Sequence, residues 1–387
     1  MKLTKLPIPK IASTIKNTYL NIKDQRLGLG LVRLLLSVAI VFTHTHHAFG
    51  LRLTGAGVSI RAFFIISGFY MALIWQQKYQ SKRAFYINRF LRIFPLYWLI
   101  LGLILLKSIF LHLSINSWGH LAPIFKYLNL MKLDTIIYLI LANVFIFGQD
   151  LIFHLRMVIT TGHLQWTNQY FTLPPPPLHF FFLIPQAWTL AIELVFYLIS
   201  PWIVRSSRIM MGLLAISMGM NWYLTNVGLH GEEWGHRFLP IELGFFVMGA
   251  LAYRIWYKWG SEWFRENLVK LGVVLVFGYI ILFNFVAVEL HINQWCFFLL
   301  FVLVLPFMFK YSENSKIDRK LGELSYPVYI SHIFISATMG MVPFVGKLKL
   351  NDNWSAIEIL MVTLLFSIII NELVQKPIDN WRHKQVR

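Results

Sequence analysis

The stretch that decides the fold is Gly28-Leu-Gly-Leu-Val-Arg33-Leu-Leu-Leu-Ser37-Val-Ala-Ile-Val-Phe-Thr-His44-Thr-His-His-Ala48, an apolar run interrupted by an arginine and a histidine eleven positions apart. At about 100° and about 1.5 Å per residue, a helix returns over that interval to within roughly 20° of the same face and climbs roughly 16 Å. Ser37 falls on the same stripe one turn above Arg33. An arginine costs at least about 3 kcal/mol at the centre of a membrane helix. The stripe therefore reads as the wall of an interior polar cavity, not as a lipid-facing surface.

The rest of the chain agrees with a membrane setting. Of 387 residues, 57% are hydrophobic and 13% charged, and the mean hydropathy is +0.61. Apolar runs near the length needed to cross about 30 Å of hydrocarbon recur from residue 28 to residue 375, which implies helices and not a barrel. The single cysteine, Cys296, excludes an internal disulfide and a cysteine-built zinc or iron–sulfur site. No bound cofactor is signalled. The net charge of +18 comes from basic residues between apolar runs, the pattern of positive-inside topology and not of nucleic-acid binding. Residues 1–27, with Lys2, Lys5, Lys10, Lys16, Lys23 and Arg26 against Asp24, read as a cytoplasmic basic tail without signal-peptide character.

Candidate spans lie at roughly 28–48, 58–77, 93–113, 134–154, 187–204, 208–226, 238–257, 268–289, 294–309, 322–345 and 355–375. The weakest is 134–154, which carries Asp134, Asn143, Gln149, Asp150 and His154. Read as interfacial or re-entrant, it leaves about ten spans and puts the basic connections on one side, with both termini cytoplasmic. The expectation is an all-α integral membrane protein of the inner (cytoplasmic) membrane: one helical bundle over 28–375 around a central polar cavity, with a cytoplasmic tail at 376–387. The loop from Arg156 to Pro185 holds Pro174-Pro-Pro-Pro177, which cannot be helix interior. It reads as a stiff spacer or the rim of an acceptor site.

Several polar sets stand out against this apolar background. His44 lies near the outer end of its helix, where a near-neutral imidazole can take a proton from an acceptor hydroxyl or itself be transiently acylated. His46 and His47 raise a metal question, but no nearby carboxylate completes a ligand set, so no metal is expected. Arg89 and Arg92 share a face on the cytoplasmic side, just before Pro95 and Tyr97. They read equally as a lipid anchor or as bidentate grips for a phosphorylated ligand. Trp188 precedes Thr189, Glu193 and Tyr197, spaced i, i+4, i+8 on one face. Glu193 reads either as the ion-pair partner of an interior arginine such as Arg33 or as a carboxylate orienting His44 or the acceptor. Ser325, Tyr329, His332 and Ser336 form a stripe that is helix glue or cavity lining, and Ser67-Gly68 marks close packing in mid-helix.

Taken in order, these segments resemble the acyltransferase-3 family of membrane acyltransferases. The matching pieces are Arg33-x10-His44, Phe63-Phe-x-x-Ser67-Gly-Phe69, Arg89-x-x-Arg92-Ile-x-Pro95-x-Tyr97, Trp188-Thr-Leu-x-x-Glu193-x-x-Phe-Tyr197 and Leu321-Gly-x-x-Ser325-Tyr-x-x-Tyr329-x-x-His332. They span nearly the whole chain, weak singly and specific in series. The resemblance implies transfer of an acyl group, usually acetyl, from cytoplasmic acyl-coenzyme A as co-substrate to a hydroxyl of a surface or exported glycan. It implies that Arg33 and His44 are essential and that Arg89 and Arg92 lie near the coenzyme A phosphates. Thr189 departs by standing where serine is commoner, Arg61 where an acidic or small residue is usual, and Gln375-Lys376-Pro377 where many members have Glu-x-Pro. No appended soluble domain is expected, and the oligomeric state is left open. The rival reading is a transporter or flippase for a lipid or anionic solute, with Arg33, Glu193 and His44 as its pathway.

Overall fold

The computed structural model describes residues 28–385 except 46–47, 78–80, 169, 171–175, 230, 264–265 and 341–351. The basic tail 1–27, His46, His47, Pro174 and Pro175 lie outside the described residues. The helices are α1 (Gly30–His44), α2 (Gly55–Gln77), α3 (Lys82–Ile115), α4 (Ala122–Tyr127), α5 (Leu133–Phe145), α6 (Trp188–Ile203) and α7 (Ser207–Asn226). They continue with α8 (Glu232–His236), α9 (Leu239–Trp263), α10 (Glu266–Leu282), α11 (Leu290–Ser312), α12 (Lys316–Met339), α13 (Asp352–Ile370) and α14 (Lys376–Gln385). One antiparallel hairpin, β1 (Leu155–Met157) with β2 (Leu164–Trp166), lies between α5 and α6, Arg156 opposite Gln165.

Seven of the described helices are long and apolar enough to cross a membrane: α2, α3, α6, α9, α10, α11 and α13 with their flanking turns. The count of about ten is therefore not reached on length and composition. α1 has 15 residues, about 22 Å at 1.5 Å per residue. α12 is long but starts with Lys316, Asp318, Arg319, Lys320 and Glu323.

The stretch 134–154 is not one helix. α5 ends at Phe145, where Ile146 (φ 71°) and Gly148 (φ 85°) turn the chain. Thirteen residues give about 20 Å, too short for a crossing. Its polar residues are fasteners: the Asn143 amide donates to Leu139 and Phe181 carbonyls and accepts from Leu183 N–H. Gln149 is fully buried and donates to the Ala142 carbonyl.

Two helix contacts position the site. α2 packs along α9 at small residues, one of them the Gly68 the sequence singles out: a Cβ on Gly68 would collide with the Phe246 backbone, and one on Gly249 with the Ile65 backbone. The same pair is locked by Arg61, whose guanidinium contacts the buried Glu242 carboxylate at 2.8 Å and donates to the Gly235 carbonyl. α1 packs along α12, where a Cβ on Gly322 would lie 2.7 Å from Gly30 Cα. The free N–H groups at the start of α1 are capped by its neighbours: Asp318 accepts from Gly30 N (2.7 Å) and Leu31 N (2.8 Å), and Ser312 from Leu29 N (2.8 Å). A carboxylate there also complements the helix dipole, and it fixes where Arg33 sits one turn later.

Candidate active site

Five helices, α1, α2, α3, α6 and α12, converge on a cavity of about 100 Å3, room for several water-sized groups. α1 supplies Arg33 and α2 supplies Ser67 and Tyr70. α3 contributes Arg89 and Arg92, α6 contributes Thr189, Glu193 and Tyr197, and α12 adds Ser325, Tyr326 and Tyr329. Of the residues expected from sequence, Arg33, Ser67, Arg89, Arg92, Glu193, Tyr197, Ser325 and Tyr329 are thus brought to one place.

Charge in the cavity is lopsided, with three guanidiniums facing one carboxylate. Arg33 Nη2 donates to Ser325 Oγ at 2.7 Å. Ser325 is held in turn by donating to the Gly322 carbonyl at 2.8 Å. Arg89 is buried and its Nη2 reaches Asn88 Oδ1 at 3.3 Å, while its Nε has no partner among the described residues. Glu193 forms no ion pair with Arg33, which corrects one expectation. Its Oε1 accepts instead from Ser67 Oγ at 2.8 Å and from the Tyr197 hydroxyl. The Arg89 guanidinium lies 5.5 Å from the Tyr197 ring centroid. A buried donor without an acceptor is costly, so the cavity favours an anionic or carbonyl-bearing occupant.

The roof of the cavity is a polar clasp between α6 and α12. The Tyr329 hydroxyl donates to the Gln186 carbonyl at 2.6 Å and lies 2.5 Å from Thr189 Oγ1. Gln186 Nε2 donates to the Ile330 carbonyl at 3.0 Å. Thr189 keeps the hydroxyl that the clasp requires.

His44 is not in this cavity. It stands exposed at the end of α1, about 16 Å of helix rise from Arg33. Its Nδ1 lies 2.9 Å from the Ile40 carbonyl. A carbonyl can only accept, so in the neutral ring Nδ1 carries the proton and Nε2 the lone pair. The His332 ring lies beside it, centroids 5.0 Å apart and planes at 52°. His332 is one turn above Tyr329, so α12 links the cavity roof to His44. Ser37 does not lead to His44, because it donates to the Arg33 and Ser325 carbonyls, at 3.1 and 2.9 Å.

Comparison with known proteins decides between the readings of this geometry. Residues 26–372, nearly the whole chain, match the family described as "Acyltransferase domain". The chain belongs to the acyltransferase-3 family. No curated protein and no solved structure gives a significant match. In this acyltransferase-3 chain two more expected site residues, besides His44 and His332, fall outside the cavity. Tyr97 is fully buried elsewhere, its hydroxyl donating to the Asn143 carbonyl at 2.5 Å and accepting from Gln149 at 3.1 Å. It braces α3 against α5. Trp188 is buried under Arg237, whose guanidinium lies 4.7 Å from its ring centroid and 3.8 Å from that of Phe153.

Some contributors went unread in the sequence. Tyr70 lines the cavity, and its hydroxyl donates to the Gly28 carbonyl. Tyr326 lines it too and donates to the Ile93 carbonyl at 2.8 Å. Glu242 was legible in principle, since a lone acid in the apolar run 239–257 needs a cation and Arg61 is the unexplained one. Among the described residues no three His, Cys, Asp or Glu side chains are grouped to hold a metal.

Proposed function

We propose that this acyltransferase moves an acyl group, acetyl by preference, from cytoplasmic acyl-coenzyme A to a hydroxyl of a surface or exported glycan, with His44 as general base. The observation that carries the reading is a cavity with three guanidiniums against one carboxylate, one α1 helix length from an imidazole whose Nδ1 is turned to a backbone carbonyl. Arg89 and Arg92 grip donor phosphate oxygens bidentately, and Arg33, set by Ser325, holds the donor deeper in. Glu193 acts within the cavity by orienting the Ser67 and Tyr197 hydroxyls.

The pantetheine arm then passes the Tyr329–Thr189 clasp and brings the thioester to His44. There Nε2 takes the proton of the acceptor hydroxyl as its oxygen attacks the thioester carbonyl carbon. The carbon–sulfur bond breaks, and the coenzyme A sulfur leaves with the proton that His44 returns. At about 16 Å, Arg33 is too far to neutralise charge at that carbon, so Arg33 and His44 are successive stations on one route. In this reading α1, α7 and α12 cross along with the seven apolar helices, which makes ten crossings, and the inner membrane holds both termini on its cytoplasmic side.

Native membranes carrying the full-length chain and supplied with radiolabelled acetyl-coenzyme A test the proposal. His44→Ala lowers label transfer about 100-fold or more, and Arg33→Gln raises the KM for acetyl-coenzyme A. Wild-type transfer by His44→Ala overturns the mechanism. A wild-type chain that moves an anionic solute and never cleaves the thioester favours transport.

A further inference from the structure

Gln186 lies in the short turn Pro185–Ala187 that leads into α6, is 6% exposed, and ties that turn to α12 through its main chain and its side chain alike. Its main-chain carbonyl accepts from the Tyr329 hydroxyl at 2.6 Å, with Thr189 Oγ1 3.3 Å away. Its side-chain Nε2 donates to the Ile330 carbonyl at 3.0 Å. A carbonyl can only accept, so the nitrogen of the Gln186 amide must face Ile330 and the oxygen must face away from it. That oxygen, Oε1, is buried, and among the described residues nothing donates to it.

Holding α6 to α12 uses only the N–H half of this amide. The oxygen half is kept out of water without a donor, which is costly. Other buried acceptors lack a donor too, Gln149 Oε1 among them, but Gln149 braces α3 against α5, away from the proposed path of the donor. Gln186 differs in its place: it belongs to the clasp that roofs the donor cavity, where the donor's arm is to pass.

The arm supplies what the clasp lacks. Between its phosphates and its sulfur, pantetheine carries two amide N–H groups, donors that lose their water on entering the bundle. We infer that Gln186 is a donor-binding residue, whose Oε1 accepts a hydrogen bond from an amide N–H of the pantetheine arm as the arm passes between Thr189 and Tyr329. The inference rests on the acyl-coenzyme A donor of the proposed function. In the resting clasp Thr189 Oγ1 and the Tyr329 hydroxyl are 2.5 Å apart, which closes the passage. When they part, the Gln186 amide keeps its tether to Ile330, so Oε1 is already held in place for the incoming N–H. One buried acceptor then meets one buried donor, and neither is left unpaired. A thioester without that N–H leaves Oε1 as it was, so the residue selects donors built on pantetheine over plain thioesters.

The test uses full-length chain in native membranes with acetyl-coenzyme A and two analogues, each with one of the arm's two amide N–H groups replaced by an ester oxygen. The wild type is expected to use one analogue about 10-fold less well in kcat/KM, the scale of one hydrogen bond. Gln186→Met removes the acceptor at similar length and levels that preference to within about two-fold. Gln186→Glu keeps an oxygen acceptor in either charge state and retains the preference. Each preference compares donors on one protein, so it does not depend on how much of a variant folds. A wild type that uses all three donors equally overturns the inference without any variant. So does a Gln186→Met chain that slows all three by the same factor, which leaves Gln186 as a helix support. A wild type that transfers no acyl group from acetyl-coenzyme A is a separate failure, that of the proposed function itself.

Discussion

At the scale of single residues, the segment between α5 and α6 shows how burial alone sets a side chain's chemistry. His154 follows Phe153 and is 1% exposed. Trp166 of β2 stacks on it, centroids 5.2 Å apart at 10°, and Trp234 and Phe238 close the box. Neither ring nitrogen has a partner among the described residues. Loss of water without a compensating contact pushes its pKa down from 6.5 to about 4. Because the folded chain holds fewer protons than the unfolded chain between those values, stability is full above about pH 6.5 and falls as the pH drops towards 4. Thermal unfolding of detergent-purified protein at pH 7.5 and pH 4.5 measures the loss. His154→Phe is expected to lose less on acidification than the wild type, and equal losses would remove His154 from the account. None of this was legible in sequence, where His154 counted only as a polar residue weakening a span. Its neighbours come from 12 to 84 positions away, a distance that periodicity does not see.

At the scale of elements, the sequence was most informative where a rule is local. The Ser67-Gly68 pair announced close packing, and Gly68 does meet α9 backbone to backbone. The stripes on α1, α6 and α12 placed six side chains, Arg33, Thr189, Glu193, Tyr197, Ser325 and Tyr329, in one cavity, because helical spacing alone decides which residues share a face. Hydropathy offered 134–154 as a candidate span and its polar residues argued against a crossing, but a window average does not show the left-handed backbone at Ile146 and Gly148 that ends α5. The Arg61–Glu242 lock was half read: the arginine looked foreign to its helix, and its partner lay 181 positions on. Removing one member strands a buried charge, so Arg61→Met or Glu242→Met alone is expected to destabilise by about 3–5 kcal/mol. The double variant restores most of that loss, because two apolar side chains replace a desolvated pair. Denaturant unfolding of the four proteins of the cycle measures the coupling, and additive losses would show that Arg61 and Glu242 do not act as a pair.

At the scale of the whole molecule, the open quantity is how many helices cross, and the cavity supplies an argument that hydropathy lacks. α1 falls short in length and α12 in apolarity, yet both wall the same cavity as α2, α3 and α6, which satisfy both criteria. A helix packed along spanning neighbours shares their depth, and its polar groups are paid for inside the bundle: Asp318 caps α1 and Ser325 meets Arg33. α7 is in the same position, with buried Ser217 donating to the Ile241 carbonyl of α9 at 2.7 Å. Counting these three with the seven gives an even number, 7 + 3 = 10, and an even number puts both ends of the chain on one side. The basic runs at Lys82–Arg92, Arg205–Arg208 and Lys310–Lys320 then all face the cytoplasm, as the positive-inside bias requires. Seven crossings alone would separate the ends. Fusions of a reporter that fluoresces only in the cytoplasm, one at each terminus, are both expected to be bright. One bright and one dark fusion would take at least one of α1, α7 and α12 out of the set of crossing helices, and the loss of α1 or α12 would break the continuous route from Arg33 to His44.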